Sequence, residues 1–168
     1  MVTSLSVLLN ATMARENRRL VTLREELEVA DAYIFFIQQR FGTDLTIVRE
    51  IGEDAMDGIL PLLTIQPLLE NAVEHGIAPA GGGTITIRCS LEDACMRIGI
   101  VNTGRGAEKE DRERIEAALN GQATGEHLGL ANIVNRLRLI YGESVEIRVD
   151  TDTPGQTTVS IVIPREIP

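Results

Sequence analysis

The hydrophobic positions of this 168-residue chain change period several times, and each change marks a predicted element. Over residues 22–42 apolar side chains recur every three or four positions, which predicts an amphipathic helix. Thr22 and Glu25 have the order and spacing of a capping box, so this helix should begin at Thr22 and end near Gly42. Over residues 45–51 the period becomes two, which is typical of a strand. A weaker helical pattern covers residues 4–19.

The next helical pattern sets a polar face against an apolar stripe. Helical spacing places Asn71 and His75 on one face, with Glu70 and Glu74 on the neighbouring face. Gly76 is predicted to end this helix in a left-handed conformation. The apolar stripe behind the polar face comprises Leu62, Ile65, Leu69, Ala72 and Val73.

The second half of the chain predicts two hairpins separated by two helices. Three glycines at 81–83 break the chain, and residues 84–102 then form a hairpin that turns around residues 92–94. Residues 144–164 form a second hairpin around Pro154 and Gly155. Helices are expected near residues 108–119 and 129–141, and a glycine-bearing loop joins them.

This order of elements predicts an α+β fold. We expect a two-layer α/β sandwich whose mixed, mostly antiparallel sheet is covered on one face by helices. Residues 1–42 are expected to be an N-terminal helical segment, and residues 43–168 the main domain.

Composition narrows the function. The formal net charge of −9 argues against nucleic acid as a partner, because binding a phosphate backbone depends on a basic face. Lys109 is the only lysine, and the absence of a Gly-Lys-Ser/Thr sequence excludes a P-loop nucleotidase. No apolar run is long enough to cross a bilayer. Cys89 and Cys95 are too few for a structural zinc site, and we expect two reduced, buried thiols rather than a disulfide.

Three chemically capable segments follow one another in the chain: residues 67–76, 101–106 and 125–137. Glycines in the last two let backbone amides approach a ligand that a side chain would block. A solvated polar face is the default interpretation of any one of these segments. Three of them in fixed order favour a ligand pocket.

These segments resemble the ATP-binding domain shared by gyrase, the heat-shock chaperone ATPase, histidine kinases and MutL, which has the Bergerat or GHKL ATPase fold. With residues 21–27, 39–42 and 139–142, the resemblance narrows to the LytS/YehU group of sensor histidine kinases. It runs from about residue 20 to the C-terminus.

The resemblance implies that the helix bearing Asn71 is the family's N box. Asn71 would hold Mg²⁺, Glu70 would polarise a nearby group or water during phosphoryl transfer, and His75 would lie beside the phosphates of ATP. Mg²⁺ prefers oxygen ligands, so one amide oxygen with phosphate oxygens is a suitable shell.

The second family segment matches at Gly104 and Gly106 but carries Asn102 where the family has an aspartate that accepts a hydrogen bond from adenine. The amide oxygen of Asn102 can still accept that bond, without a charge. Thr157 is a further expected contact to the adenine region, although Gln156 replaces the family's glycine before it.

The third family segment implies nucleotide contacts from Gly125, Gly129 and Leu130, while His127 replaces a further glycine. His127 could bind phosphate or metal, but we favour a solvated loop residue. For Arg136, a phosphate contact and a structural alternative, either a salt bridge or a solvated arginine, are equally favoured.

The function implied is that of the catalytic domain of a two-component sensor histidine kinase. It would pass the γ-phosphoryl group of Mg-ATP to a histidine on an upstream dimerisation segment that this chain lacks. The expected partners are that segment, a response regulator and a second copy in the full-length protein. The expected location is cytoplasmic, as the cytosolic domain of a membrane-bound sensor. Two alternatives stay open: an anti-sigma-factor serine kinase, and a degenerate domain of the same fold that serves as a protein-interaction module.

Overall fold

The computed structural model describes residues 20–106, 109–120 and 128–165. The helix predicted over residues 4–19 lies outside these ranges, as do Gly125 and His127. The helices are α1 (Leu23–Phe41), α2 (Ile65–Ala72), α3 (Lys109–Leu119) and α4 (Leu128–Tyr141). The strands are β1 (Leu20–Thr22), β2 (Leu45–Ile51), β3 (Ile59–Pro61), β4 (Gly83–Glu92), β5 (Cys95–Thr103), β6 (Glu146–Asp150) and β7 (Gln156–Pro164).

The main sheet has five strands in the order β2-β4-β5-β7-β6. β2 runs parallel to β4, and the other three neighbouring pairs are antiparallel. The predicted α+β fold with a mixed, mostly antiparallel sheet is therefore confirmed. β1 and β3 form a separate antiparallel pair that was not predicted. Each has three residues, which is too short to show the alternation on which a strand prediction depends.

The core lies between one face of the sheet and the helices. Alternate residues of the central strands point into it, such as Ile85 and Ile87 of β4 and Ile98 and Ile100 of β5, all of them buried. The predicted apolar face of α1 belongs to the same cluster, so this helix packs on the domain. Its buried apolar residues are Leu23, Leu27, Ala30, Ile34 and Ile37.

The ends of α1 are those that the sequence predicts. Thr22 Oγ1 accepts a hydrogen bond from the amide of Glu25 at 3.2 Å, and Glu25 Oε2 accepts one from the amide of Thr22 at 2.8 Å. This capping box begins the helix, and Gly42, with a φ of +57°, follows its last residue.

The prediction that Gly76 ends the α2 helix is wrong. The helical backbone continues through a π-helical segment, Val73–Ile77, and a last turn, Ala78–Ala80. It ends at Gly81, which has the left-handed φ of +77° that a helix terminus favours. The prediction that Leu62 belongs to the apolar stripe of this helix is also wrong, because α2 begins only at Ile65.

Both cysteines are free thiols, as predicted, but they differ in burial. Cys89 is buried and Cys95 is only half-buried, so the prediction of two buried thiols is wrong for Cys95. Burial raises the pKa of Cys89 to about 12, so this thiol stays protonated and unreactive at neutral pH. In the parts of the chain that the structure describes, no helix is long and apolar enough to cross a membrane.

Candidate nucleotide-binding site

Asn102 lies where β5 meets the helical segment that follows α2. It shares the helix-covered face of β5 with Ile98 and Ile100, and it is only 4% exposed. A Cβ atom built on Gly76 would stand 2.0 Å from Asn102 Nδ2, so the asparagine amide packs directly on the glycine backbone. The close approach of Asn102 therefore explains why residue 76 is a glycine inside a helix.

Thr157 lies beside Asn102, because the two residues are partners in the register of β5 and β7. Thr157 is half-buried and shares its face of β7 with the buried Val159 and Ile161. The structure thus brings together the two residues that the sequence assigns to the adenine region.

Gly104 and Gly106 hold the end of β5 against two other segments. A Cβ atom on Gly104 would stand 2.4 Å from the carbonyl oxygen of Gly76, and the Gly104 amide donates to Gly155 O at 2.9 Å. Gly106 has a φ of +76°, and a Cβ atom there would lie 3.2 Å from the Gly155 nitrogen. Both glycines therefore allow backbone segments to approach more closely than a side chain would permit.

The polar residues of α2 and its π-helical continuation lie along a helical wall that meets Asn102 at Gly76. Asn71 and His75 are half-buried, and Glu74 is exposed. The Glu70 carboxylate accepts a hydrogen bond from Gln66 Nε2, one helical turn earlier, at 2.9 Å. His75 and Gly76 lie in the π-helical segment, a rare distortion that occurs often at functional sites.

Tyr33 brings α1 to the carboxylates of this wall. Its burial, followed by the charges of Glu70 and Glu74, raises the pKa of the phenol well above its usual range. The hydroxyl therefore stays neutral, and it can act as a hydrogen-bond donor but not as a charge beside the carboxylates.

Glu26 is a structural residue that the sequence analysis did not identify. It is fully buried, and its carboxylate accepts hydrogen bonds from the amides of Leu63, Thr64 and Ile65 at 2.8, 2.6 and 2.8 Å. These amides lie at the start of α2, where helical N–H groups have no intrahelical partner. A signal was present, because Glu26 falls on the apolar face of α1 beside Leu27, and a carboxylate placed there must find buried donors.

Arg136 of α4 faces the same helix start. Its Nη2 donates to Leu63 O at 2.6 Å, and its positive charge opposes the rise in the Glu26 pKa that burial causes. Burial lowers the pKa of Arg136, because it disfavours the charged guanidinium, and the negative charge of Glu26 opposes this lowering. The buried Nε atom of Arg136 has no hydrogen-bond partner among the residues that the structure describes.

The remaining predicted contacts lie at the start of α4. Leu130 is buried in the core at 2% exposure, whereas Gly129 is exposed. Among the described residues, apart from its chain neighbours and the backbone of its own helix, no atom lies within 4 Å of a Cβ built on Gly129. The glycine is therefore accessible to a ligand, and Leu130 anchors the helix that carries it.

The side chains of this site fit Mg-ATP better than a metal held by protein alone. Within the described ranges, no group of three His, Cys, Asp or Glu residues could hold a metal ion. Asn71 has an amide oxygen that would hold the metal, because Mg²⁺ commonly binds one or two protein oxygens together with substrate phosphates. The buried Asn102 and its neighbour Thr157 supply polar groups that could orient a base.

A sequence model described as "Histidine kinase-, DNA gyrase B-, and HSP90-like ATPase" matches residues 56–167. The chain belongs to this ATPase family. The sensor histidine kinase YpdA of Escherichia coli (strain K12) is 37% identical over 147 residues, which cover 87% of this chain and 25% of YpdA. The sensor protein LytS of Staphylococcus epidermidis (strain ATCC 12228 / FDA PCI 1200) is 28% identical over 156 residues, which cover 92% of this chain and 26% of LytS.

Solved structures agree with this family fold. The catalytic domain of histidine kinase ThkA has a TM-score of 0.63 at 19% identity, covering 89% of this chain and 98% of that one. Histidine kinase ThkA in complex with the response regulator protein TrrA has a TM-score of 0.64 at 14% identity. The match covers 98% of this chain and 48% of that one. The resemblance to the ATPase family and to LytS-type sensor kinases is thus confirmed. This chain spans about a quarter of the length of YpdA and of LytS.

Proposed function

We propose that this chain is the catalytic domain of a two-component sensor histidine kinase. It binds Mg-ATP and donates the γ-phosphoryl group to a histidine on an upstream segment of the full-length protein. The observation that carries the proposal is the packing of Asn102 on Gly76. This contact joins two of the three sequence segments predicted to form the pocket, and Thr157 lies beside it.

The residues divide the work between the two ends of the nucleotide. Asn102 and Thr157 orient the adenine where β5 ends and β7 begins. Asn71 holds Mg²⁺, which neutralises phosphate charge when bound, and His75 lies beside the phosphates. Glu70, whose carboxylate is positioned by Gln66, polarises the attacking group. Positioning and charge neutralisation are most of what phosphoryl transfer requires of a protein.

The third segment and Arg136 have different roles in this proposal. Gly129 leaves a backbone amide open to the phosphates, and Leu130 holds the start of α4 in the core. A phosphate contact from Gly125, which lies outside the described residues, stays a prediction. For Arg136 the hydrogen bond to Leu63 O and the charge of Glu26 support a structural role over a phosphate contact.

The proposed partners follow from the relatives. The full-length protein would be a membrane-bound sensor that dimerises through the upstream segment, with this domain in the cytoplasm. A response regulator would receive the phosphoryl group, in keeping with the ThkA complex with TrrA. The relatives named as sensor kinases favour a histidine acceptor over the serine acceptor of an anti-sigma-factor kinase.

Thermal unfolding with and without Mg-ATP tests nucleotide binding. A ligand present at one hundred times its dissociation constant stabilises the folded state by about 2.7 kcal/mol. We expect a rise in Tm with Mg-ATP and with Mg-ADP. An unchanged Tm at millimolar nucleotide would instead support the degenerate domain that acts in protein interaction, for which Asn102, His127 and Gln156 are the sequence indications.

Asn102→Asp should tighten the binding of adenine nucleotides. A carboxylate is a stronger acceptor for the adenine amine than an amide, and the expected gain is at most about 1 to 2 kcal/mol. The same change should lower the Tm without nucleotide, because residue 102 is buried and an uncompensated charge there is costly. Parallel calorimetric titrations and melts measure both effects. Equal or weaker affinity in the variant would mean that Asn102 is adapted to its own pocket.

The chain should not phosphorylate itself on histidine, even when it binds ATP. His75 belongs to the helical segment packed against β5, and an in-line attack needs a nucleophile aligned with the γ-phosphate. Incubation with labelled Mg-ATP, followed by acid and base treatment, detects any phosphohistidine. Acid-labile, base-stable label on His75 or His127 would overturn the view that the acceptor lies elsewhere.

A further inference from the structure

We propose that Glu26 is a positioning residue for the magnesium site, acting through the helix that carries Asn71. The Glu26 carboxylate links α1 to the start of α2 and so fixes the position of α2 relative to α1. This inference rests on the proposed function, because it assumes that Asn71 holds Mg²⁺ beside ATP.

The first step in the argument is that α2 lacks a cap of its own. Its N-cap residue, Thr64, is buried, but the Thr64 side chain makes no capping hydrogen bond. The Thr64 hydroxyl donates instead to Pro61 O at 2.6 Å. A serine or threonine at this position usually satisfies one of the free amides, and here that task passes to another element.

The second step is that the substitute cap comes from far along the chain. The amides of Leu63, Thr64 and Ile65 all donate to Glu26, which precedes them by 37 to 39 residues. A local cap would tie α2 only to its own preceding loop. The Glu26 cap ties α2 to α1, and its negative charge also faces the positive end of the α2 dipole.

The third step is the cost of this arrangement. Glu26 is fully buried, whereas its neighbour Glu25 serves the local cap of α1 at the surface. Burying a carboxylate is costly unless it is paired and hydrogen-bonded. Arg136, which is half-buried, helps to meet this requirement by its charge and also donates to Leu63 O, so Glu26 and Arg136 together bind both polar backbone groups of Leu63. Leu63 has a φ of +61°, which a leucine adopts only when its surroundings impose it.

The consequence for the site follows from the length of α2. Asn71 lies six residues after Ile65, about 9 Å along a rigid α-helix. A shift of the first turn of α2 relative to α1 therefore moves the Asn71 amide with it. Groups hydrogen-bonded directly to a metal ligand typically change metal affinity by about 10- to 100-fold when they are replaced. Glu26 acts through the helix, so we expect an effect at the lower end of that range.

The test compares Glu26→Gln with Glu25→Gln in the complete chain. Glu26→Gln keeps the shape of the side chain but turns one acceptor oxygen into a donor that faces the amides. Glu25→Gln is the matched control, because it weakens the local capping box at the start of the same helix and leaves the three hydrogen bonds of Glu26 in place. For each protein, ATP affinity is measured by calorimetry in Mg²⁺ and in EDTA, and circular dichroism confirms the fold.

We expect the ratio of the ATP affinity in Mg²⁺ to the ATP affinity in EDTA to fall by about tenfold in Glu26→Gln and to stay unchanged in Glu25→Gln. A folded Glu26→Gln protein with the wild-type ratio would overturn the inference and leave Glu26 a purely structural residue. Glu26→Asp, which keeps the charge but shortens its reach, gives the same test if Glu26→Gln does not fold. If wild-type protein shows no ATP binding, or no effect of Mg²⁺, the proposed function has failed instead.

Discussion

Gly104→Ala is expected to cost stability and to abolish nucleotide binding at the same time. The added Cβ would stand 2.4 Å from the carbonyl oxygen of Gly76, which belongs to the backbone and cannot turn aside as a flexible side chain could. Overpacking of this kind usually costs about 1 to 3 kcal/mol. The shift needed to relieve it would separate the end of β5 from the segment that carries His75. Thermal melts and calorimetric titration with Mg-ATP measure the two losses.

Gly99→Ala is the matched control for this prediction. Gly99 lies in the same strand, and the one described atom that a Cβ there would meet, apart from its chain neighbours, is the Arg88 Cβ at an ordinary distance of 3.6 Å. We expect Gly99→Ala to change neither ATP affinity nor stability greatly. Equal behaviour of the two variants would show that the approach of Gly104 to Gly76 is not important for the pocket.

Asn71→Ala should remove the effect of Mg²⁺ on ATP binding while the fold is kept. The side chain is half-buried on the polar side of α2, and alanine favours a helix more than asparagine does, so stability should change by less than about 0.5 kcal/mol. Loss of the amide removes the one neutral oxygen ligand proposed for the metal. ATP affinity measured in Mg²⁺ should then fall, by more than about tenfold, to the value measured in EDTA.

Asn135→Ala is a suitable control for the asparagine change. Asn135 is exposed on α4, so its amide has a similar chemistry outside the proposed metal site. The control should keep the wild-type response to Mg²⁺. A wild-type response in Asn71→Ala would mean that the polar face of α2 does not bind the metal.

Most of the fold could be predicted because its elements carry local signals. The capping box at Thr22, the alternation from Leu45 to Ile51 and the Pro154-Gly155 turn each depend on neighbours in sequence, and the structure contains each of them. The division into residues 1–42 and 43–168 stays a prediction. The described part of the first segment, α1, shares the core of the second.

The features that could not be predicted depend on contacts between distant residues. Gly76 has the spacing of a helix terminus, yet its lack of a side chain serves the approach of Asn102 from β5. In the sequence, Glu26 is one more acidic residue beside a capping box. Its role depends on α2, which brings three amides to its carboxylate. The pairing of β1 with β3 joins segments too short to show a pattern. In each case tertiary contacts decide the role of the residue.

Calorimetric titration of the wild-type chain with ATP, in Mg²⁺ and in EDTA, tests the central claim most directly. The proposed site has one part that recognises adenine, around Asn102 and Thr157, and one part that depends on metal, around Asn71. We therefore predict saturable binding in both conditions, with higher affinity in Mg²⁺. Absence of binding at millimolar ATP, or the same affinity with and without Mg²⁺, would contradict the account of this chain as an Mg-ATP-binding kinase domain.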